Sequence, residues 1–217
     1  MPIILDRVSF AYDNGPAILT NASLTIEPTS YALVRGPSGA GKSTLLRLLC
    51  LLEEPQSGQI LFSGTSVTDI PPAELRRSMA YVQQMPTLLE GTVRDNLRLP
   101  FSFKVNENLA PPSDTDLEAH LAKFLLDGVT LEARANTLSV GQSQRVCLIR
   151  SLLLHPKAIL MDEPTASLDA DSARVVLDKA AELAQGGMTV IMISHSETTP
   201  PGVTHTIRIN DCQLEYV

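Results

Sequence analysis

Residues 36–44 read GPSGAGKST and fit the spacing G-x-x-x-x-G-K-[ST], a pattern suited to holding phosphate. Glycine lets the backbone turn its N–H groups toward phosphate oxygens, and a following helix N-terminus adds favourable charge. Gly36, Pro37, Ser38, Gly39, Ala40 and Gly41 would form the cradle, with Thr44 completing it. Lys42 would reach the β- and γ-phosphates of a nucleotide, and the Ser43 hydroxyl would coordinate Mg2+. A second cluster, AILMDEP at 158–164, sets two adjacent acids at the end of an apolar run. Acids there are costly unless they meet a cation or a reacting group. Asp162 suits the outer shell of Mg2+, and Glu163 suits polarising an attacking water. The third cluster, LSVGQSQRVCLIR at 138–150, is another Ser/Gly-rich turn running into a helix. One nucleotide needs only one cradle, so a second such turn leading into a helix calls for another role.

The elements that must position these groups follow from pattern. IILDRVSFAY, NASLTIE and YALVRG read as strands, the last leading into the glycine loop and then the helix STLLRLLCLL from Ser43. GQILFSG at 58–64 and MAYVQQ at 79–84 are strands, with a short helix, PPAELRR, between them. From about 86 to 156 strand patterns vanish. SDTDLEAHLAKFLLDG at 113–128 predicts an amphipathic helix with Leu117, Leu121, Phe124 and Leu125 on one face, started at Ser113 and stopped at Gly128. QSQRVCLIRSLLLH predicts a second helix ending before Pro156. Strands resume at AILMD and MTVIMIS around a helix from about Asp171 to Ala184, and the tail reads as a hairpin around Asp211. This is an α/β nucleotide-binding core interrupted by a helical insert.

Bulk composition narrows the classes. With 217 residues, 44% apolar and 19% charged, the chain suits a soluble protein of one well-cored domain, or a domain with a sub-domain inserted in it. A net charge of −7, with no basic cluster longer than Arg76–Arg77, argues against a nucleic-acid surface. Cys50, Cys147 and Cys212 are widely spaced without CxxC, which suggests buried thiols in a reducing compartment. MPIILDRVSF has Asp6 where a signal peptide needs an unbroken apolar core, and LLRLLCLLE at 45–53 is too short to span a bilayer. The expectation is a cytoplasmic chain whose membrane work, if any, belongs to another subunit.

The ordered set GPSGAGKST, YVQQ, LSVGQ, ILMDEP, SLD and SHS resembles the ATP-binding cassette (ABC) ATPases across nearly the whole chain. That resemblance implies a single domain over 1–217 with a P-loop NTPase (RecA-like) core. Residues 1–85 and 157–217 would form the core with an N-terminal antiparallel β sub-domain, and about 86–156 a helical sub-domain. It implies ATP and Mg2+ as cofactors and ATP hydrolysis as the activity. Gln84 resembles the glutamine that touches Mg2+ and the attacking water; Gln83 is the weaker match. His195 resembles a histidine on the γ-phosphate, Asp169 an acid that communicates across a dimer, and Tyr12 an aromatic that stacks on adenine. Ser139, Val140, Gly141 and Gln142 resemble a signature that completes the site of a second copy in a head-to-tail homodimer. Val140 departs from the family's glycine, adding bulk and restricting the backbone near the phosphate.

The partner implied is a separate transmembrane permease, holding the chain on the inner face of the membrane, with Leu88, Leu89 and Phe101 as candidate contacts in the insert. Residues 86–97 and 99–101, with LIRSLLLHPK, look similar to the ATPase of a bacterial iron exporter. The competing class is a soluble cassette ATPase in an assembly process. A P-loop kinase or GTPase fits poorly, because LSVGQ and His195 have no place there and no NKxD motif occurs.

Overall fold

Apolar residues at alternate positions, re-phased by a bulge at Arg7 (φ 51°), bury Ile3, Leu5, Val8 and Phe10 and give β1 (Ile3–Ala11) one core face. The computed structural model describes residues 2–13, 15–196 and 198–217. β2 (Ala17–Ile26) pairs antiparallel with β1, matching Ile3 to Ile26 and Leu5 to Leu24. β3 (Tyr31–Arg35) leaves this layer for a second sheet and feeds the glycine loop and α1 (Lys42–Leu49). The chain then returns with β4 (Ser57–Phe62) and β5 (Thr65–Ser66) to give an antiparallel sheet of order β2-β1-β4-β5.

α2 (Pro72–Ser78) leads to β6 (Met79–Val82), and β7 (Ala158–Asp162), α6 (Ala170–Gln185) and β8 (Thr189–Ile193) follow the insert. β9 (His205–Asn210) and β10 (Gln213–Tyr216) complete a sheet of order β10-β9-β3-β8-β7-β6, parallel except for β10. The expected terminal hairpin turns at Asp211 (φ 46°) and Cys212 (φ 61°), the two positive angles of a tight hairpin. That turn leaves Cys212 half-buried rather than buried, while Cys50 and Cys147 are buried thiols as expected. Burial pushes the Cys50 thiol up to about 11.

The parallel strands are buried on both faces and divide two cores. Leu160, Ile191 and Ile193 face α1 and the antiparallel sheet. Ile159, Met161, Val190 and Met192 face the other way, onto α6 and the helices of the insert. Between β6 and β7 those helices are α3 (Val93–Arg98), α4 (Asp114–Lys123) and α5 (Val140–Leu152).

Two details of the insert depart from expectation. α3 was not anticipated: Thr92 and Asp95 cap each other's backbone N–H, nucleating a six-residue helix too short to show periodicity. α4 stops at Lys123, five residues before Gly128, and Leu125 lies off the apolar face, 60% exposed. Leu125 takes a left-handed φ of 51°, and Leu126 N–H donates to Leu121 O at 3.0 Å, closing the helix without glycine. Arg145 of α5 holds that end, donating to the carbonyls of Phe124 (3.2 Å) and Leu125 (2.9 Å).

Candidate active site

The C-terminal edge of the parallel sheet is where open α/β sheets present groups to ligands. β3 delivers the phosphate loop there, β6 delivers Gln83 and Gln84, β7 delivers Asp162 and Glu163, and β8 delivers His195. The loop needs its glycines. Gly41 starts α1 at φ 92°, and a Cβ on it would meet Ile18 Cγ2 at 2.1 Å. Gly39, at φ 78°, has open space around the position its Cβ would take. The buried Lys42 ammonium donates to the carbonyls of Gly36 (2.9 Å) and Pro37 (2.8 Å), which holds its charge over the loop.

Asp162 is gripped on both oxygens. Ser43 Oγ donates to Oδ1 at 2.9 Å, and the Tyr81 hydroxyl donates to Oδ2 at 2.8 Å. Burial and then the bond to Asp162 push the Tyr81 phenol above its ordinary value. Glu163, at a left-handed φ of 47°, turns away from its neighbour. Gln84 Nε2 donates to its Oε2 at 3.0 Å, and His195 Nε2 lies 2.6 Å from its Oε1. The structure thus places Gln84, not Gln83, at the second carboxylate. Gln83 instead offers its backbone carbonyl to Gln144 Nε2 at 3.4 Å. Gln144 is 1% exposed, and its Oε1 lacks a partner among the described residues. It ties α5 to the strand end that carries Gln84, a link the sequence did not reveal.

Tyr12 stands just past β1 and joins the rim. Its hydroxyl lies 3.4 Å from Thr44 Oγ1 and donates to Glu53 Oε1 at 3.3 Å, with its ring edge-on to Phe10. Residues 139–142 lie elsewhere, and no hydrogen bond joins them to residues 36–44 among the described residues. Ser139 caps α5 and accepts from Gln142 N–H at 3.2 Å, while Gln142 Oε1 accepts from Ser139 N–H at 2.9 Å. Val140 opens the helix, is 45% exposed and has no positive φ, so its backbone is unstrained and only its bulk distinguishes it from glycine. Gly141 is buried against Ser172. Asp169 caps α6 by accepting from Ser172 N–H at 2.9 Å, a bond that holds its carboxyl below the usual range.

Beyond Gln84 a groove of 570 Å³ is lined by Pro86, Leu88, Leu89, Arg134, Leu138 and Ser143. Phe101, expected beside Leu88 and Leu89, packs on the insert's core and lines a different cavity with Leu109 and His120.

Residues 19–166 match the family model described as ABC transporter. The chain belongs to the ABC transporter family. It is 37% identical over 185 residues to ABC transporter I family member 17 of Arabidopsis thaliana, covering 85% of this chain and 69% of that protein. Over 215 residues it is 34% identical to the mitochondrial ATP-dependent permease MDL1 of Saccharomyces cerevisiae, covering 96% of this chain and 30% of the permease. It spans 15% of the length of the fungal transporters atr1 and kk1G. Among solved structures, the ATP-binding cassette MJ0796, dimeric in a post-hydrolysis state with ADP and Pi, aligns with a TM-score of 0.84 at 26% identity. That alignment covers 98% of this chain and 96% of the other.

An ABC domain binds ATP with Mg2+ and hydrolyses it. The atoms present suit that cation: Ser43 Oγ and Asp162 Oδ1 are hard oxygens 2.9 Å apart, and the Gln84 amide still has its carbonyl oxygen to offer. No helix among the described residues is long and apolar enough to cross a membrane.

Proposed function

We propose that this ABC domain drives a separate transmembrane permease, through a head-to-tail homodimer that closes on Mg-ATP and reopens after hydrolysis. One observation carries the reading: the Glu163 carboxylate is held between Gln84 and His195 on the strand edge that also presents Asp162 and the phosphate loop. Glu163 polarises the attacking water, His195 orients Glu163 and contacts the γ-phosphate, Lys42 neutralises the phosphates, and Tyr12 packs on the base. Ser43 and Asp162 hold Mg2+, with the Gln84 carbonyl beside them, and the cation supplies charge neutralisation on the phosphates.

The exposed Ser139 and Val140, at the N-terminus of α5, form an anion site that this copy does not use. In the proposed dimer Ser139, Val140, Gly141 and Gln142 face the partner's γ-phosphate, and Asp169 reports across the interface. The dimeric state of MJ0796 supports that arrangement. The permease docks in the groove at Leu88 and Leu89, in the helical insert of residues 86–156, and thereby places the chain on the inner face of a membrane. The name of MDL1, an ATP-dependent permease, supports the pairing of such a domain with a permease. Iron export is the finest form of the reading, supported by the likeness of residues 86–97, 99–101 and 148–157, with the metal passing through the permease.

The test is Glu163→Gln, measured by light scattering with and without ATP. A shift from monomer to dimer only with ATP is expected. If the protein stays monomeric with ATP bound, Val140→Gly separates the causes. A dimer gained shows that Val140 blocks the contact in trans; a monomer retained removes ATP-driven closure of the isolated chain. Tagging the chain and identifying membrane proteins that purify with it tests the permease.

A further inference from the structure

Tyr81 was not among the residues expected to serve the site, yet it touches one that was. β6 and β7 are parallel with Tyr81 opposite Leu160, so alternation puts Tyr81, Leu160 and Asp162 on the face toward α1. From there the phenol reaches Asp162 Oδ2 at 2.8 Å, while Ser43 occupies Oδ1 at 2.9 Å. Ser43, Arg47, Tyr81 and Asp162 line one cavity of 490 Å³. Arg47, on α1, lines that cavity beside Tyr81, and the nearby hydroxyls of Tyr12 and Tyr81 favour its charged guanidinium, raising it above its ordinary value. An ionised carboxylate can only accept, so the phenol proton goes to Asp162 Oδ2.

We infer that Tyr81 is the positioning residue of the cation site: its hydroxyl ties down Asp162 Oδ2, so the carboxylate presents Oδ1 beside Ser43. The inference rests on the reading that Ser43 and Asp162 take Mg2+. Asp162 is 5% exposed, and without the phenol its Oδ2 loses its hydrogen-bond donor, leaving the bond to Ser43 as its remaining side-chain contact among the described residues. The carboxylate is then able to rotate, and the oxygen facing the cation is no longer fixed. Partners of this outer kind are commonly worth 10–100-fold in metal affinity.

The experiment compares wild type, Tyr81→Phe, Asp162→Asn and the double variant, using a fluorescent ATP analogue in EDTA and across a Mg2+ titration. Melting temperature is followed in parallel. For Tyr81→Phe the Mg2+ needed for half-maximal Mg2+-dependent binding rises about tenfold, while binding in EDTA is unchanged. Because Tyr81 acts through Asp162, adding Tyr81→Phe to Asp162→Asn changes the Mg2+ requirement no further. A Tyr81→Phe titration that superposes on wild type overturns the inference, whatever the melting temperature does. So does an equal shift in the Asp162→Asn background. Failure of the underlying reading looks different: wild type and Asp162→Asn would then share one Mg2+ requirement.

Discussion

His195 Nε2 lies 2.6 Å from Glu163 Oε1, and the two residues come from neighbouring parallel strands. Asp162 pairs with Ile193, so Glu163 stands one residue beyond that pair and His195 two. The left-handed turn at Glu163 sends its carboxylate across to the histidine instead of along β7. Gln84 then holds the other oxygen at 3.0 Å. Replacing His195 with Ala leaves Glu163 tethered on one side, with nothing to aim it at water. The expected loss in kcat is on the order of 10²-fold, the lower end for a positioned acid–base group. Affinity for ADP, which has no γ-phosphate for His195 to contact and is held by the loop, is expected to stay near wild type; steady-state kinetics beside equilibrium binding of ADP checks both.

Gly141 is fixed by what stands over it. A Cβ there would sit 2.7 Å from Ser172 Oγ and 3.1 Å from Ser172 Cβ, with Asp169 Oδ2 at 3.8 Å. Gly141→Ala therefore pushes the first turn of α5 off the first turn of α6, in the segment where Asp169 caps Ser172. Overpacking of this kind costs about 1–3 kcal/mol, and the Asp169 cap is expected to weaken with it. A lowered midpoint in urea unfolding is the expected result. Val140→Ala, one residue away but exposed, serves as the control and is expected to leave the midpoint within about 0.5 kcal/mol of wild type.

The parts legible in the sequence were those written in short local patterns. The spacing of Gly36, Gly41, Lys42 and Ser43 announces a phosphate loop, and β3 and α1 flank it as that loop requires. Asp162 and Glu163 announce themselves as acids closing an apolar strand. What stayed hidden depends on contacts across long stretches of chain. Tyr81 reaches Asp162 through the pairing of β6 and β7, and Gln144 reaches Gln83 through the packing of α5. Leu125 continues the helical period of α4 in sequence, but it turns left-handed and the distant Arg145 holds the carbonyls of that end, which no local pattern shows. Val140 shows the reverse case, where the structure removes one concern: α5 accepts valine at its first position, and the question narrows to bulk.

His120, on α4, gives the insert a pH response with a definite sign. Burial first, then the charges of Lys123 and His155, pull its pKa below the ordinary value near 6.5, and Asp116 opposes them only in part. Lys179 and Glu182 of α6 line the same cavity. The folded chain therefore binds this proton less readily than the unfolded chain. Its contribution to stability is full above pH 6.5 and is lost as pH falls through the folded-state pKa. In His120→Gln the fall in melting temperature between pH 7.5 and pH 5.5 is expected to be smaller than in wild type. Equal falls in both proteins would remove His120 as the source.

Leu89 is 52% exposed on a groove whose far end adjoins the strand carrying Gln84. Its backbone is well anchored nonetheless, since Leu89 N–H donates to Asn96 Oδ1 at 2.8 Å and Asn96 Nδ2 returns a bond to Leu89 O at 3.0 Å. The side chain can thus be changed without moving the loop. Leu89→Asp puts a charge where the proposal places an apolar contact with the permease, and desolvating that charge on docking is costly. Basal ATPase of the isolated chain and its melting temperature are expected to hold, because no site group touches Leu89. Stimulation of ATPase by the reconstituted permease, and recovery of the complex on a tagged chain, are expected to drop at least tenfold, the loss typical of truncating a central interface residue. Stimulation that survives the charge would move the docking surface away from this groove.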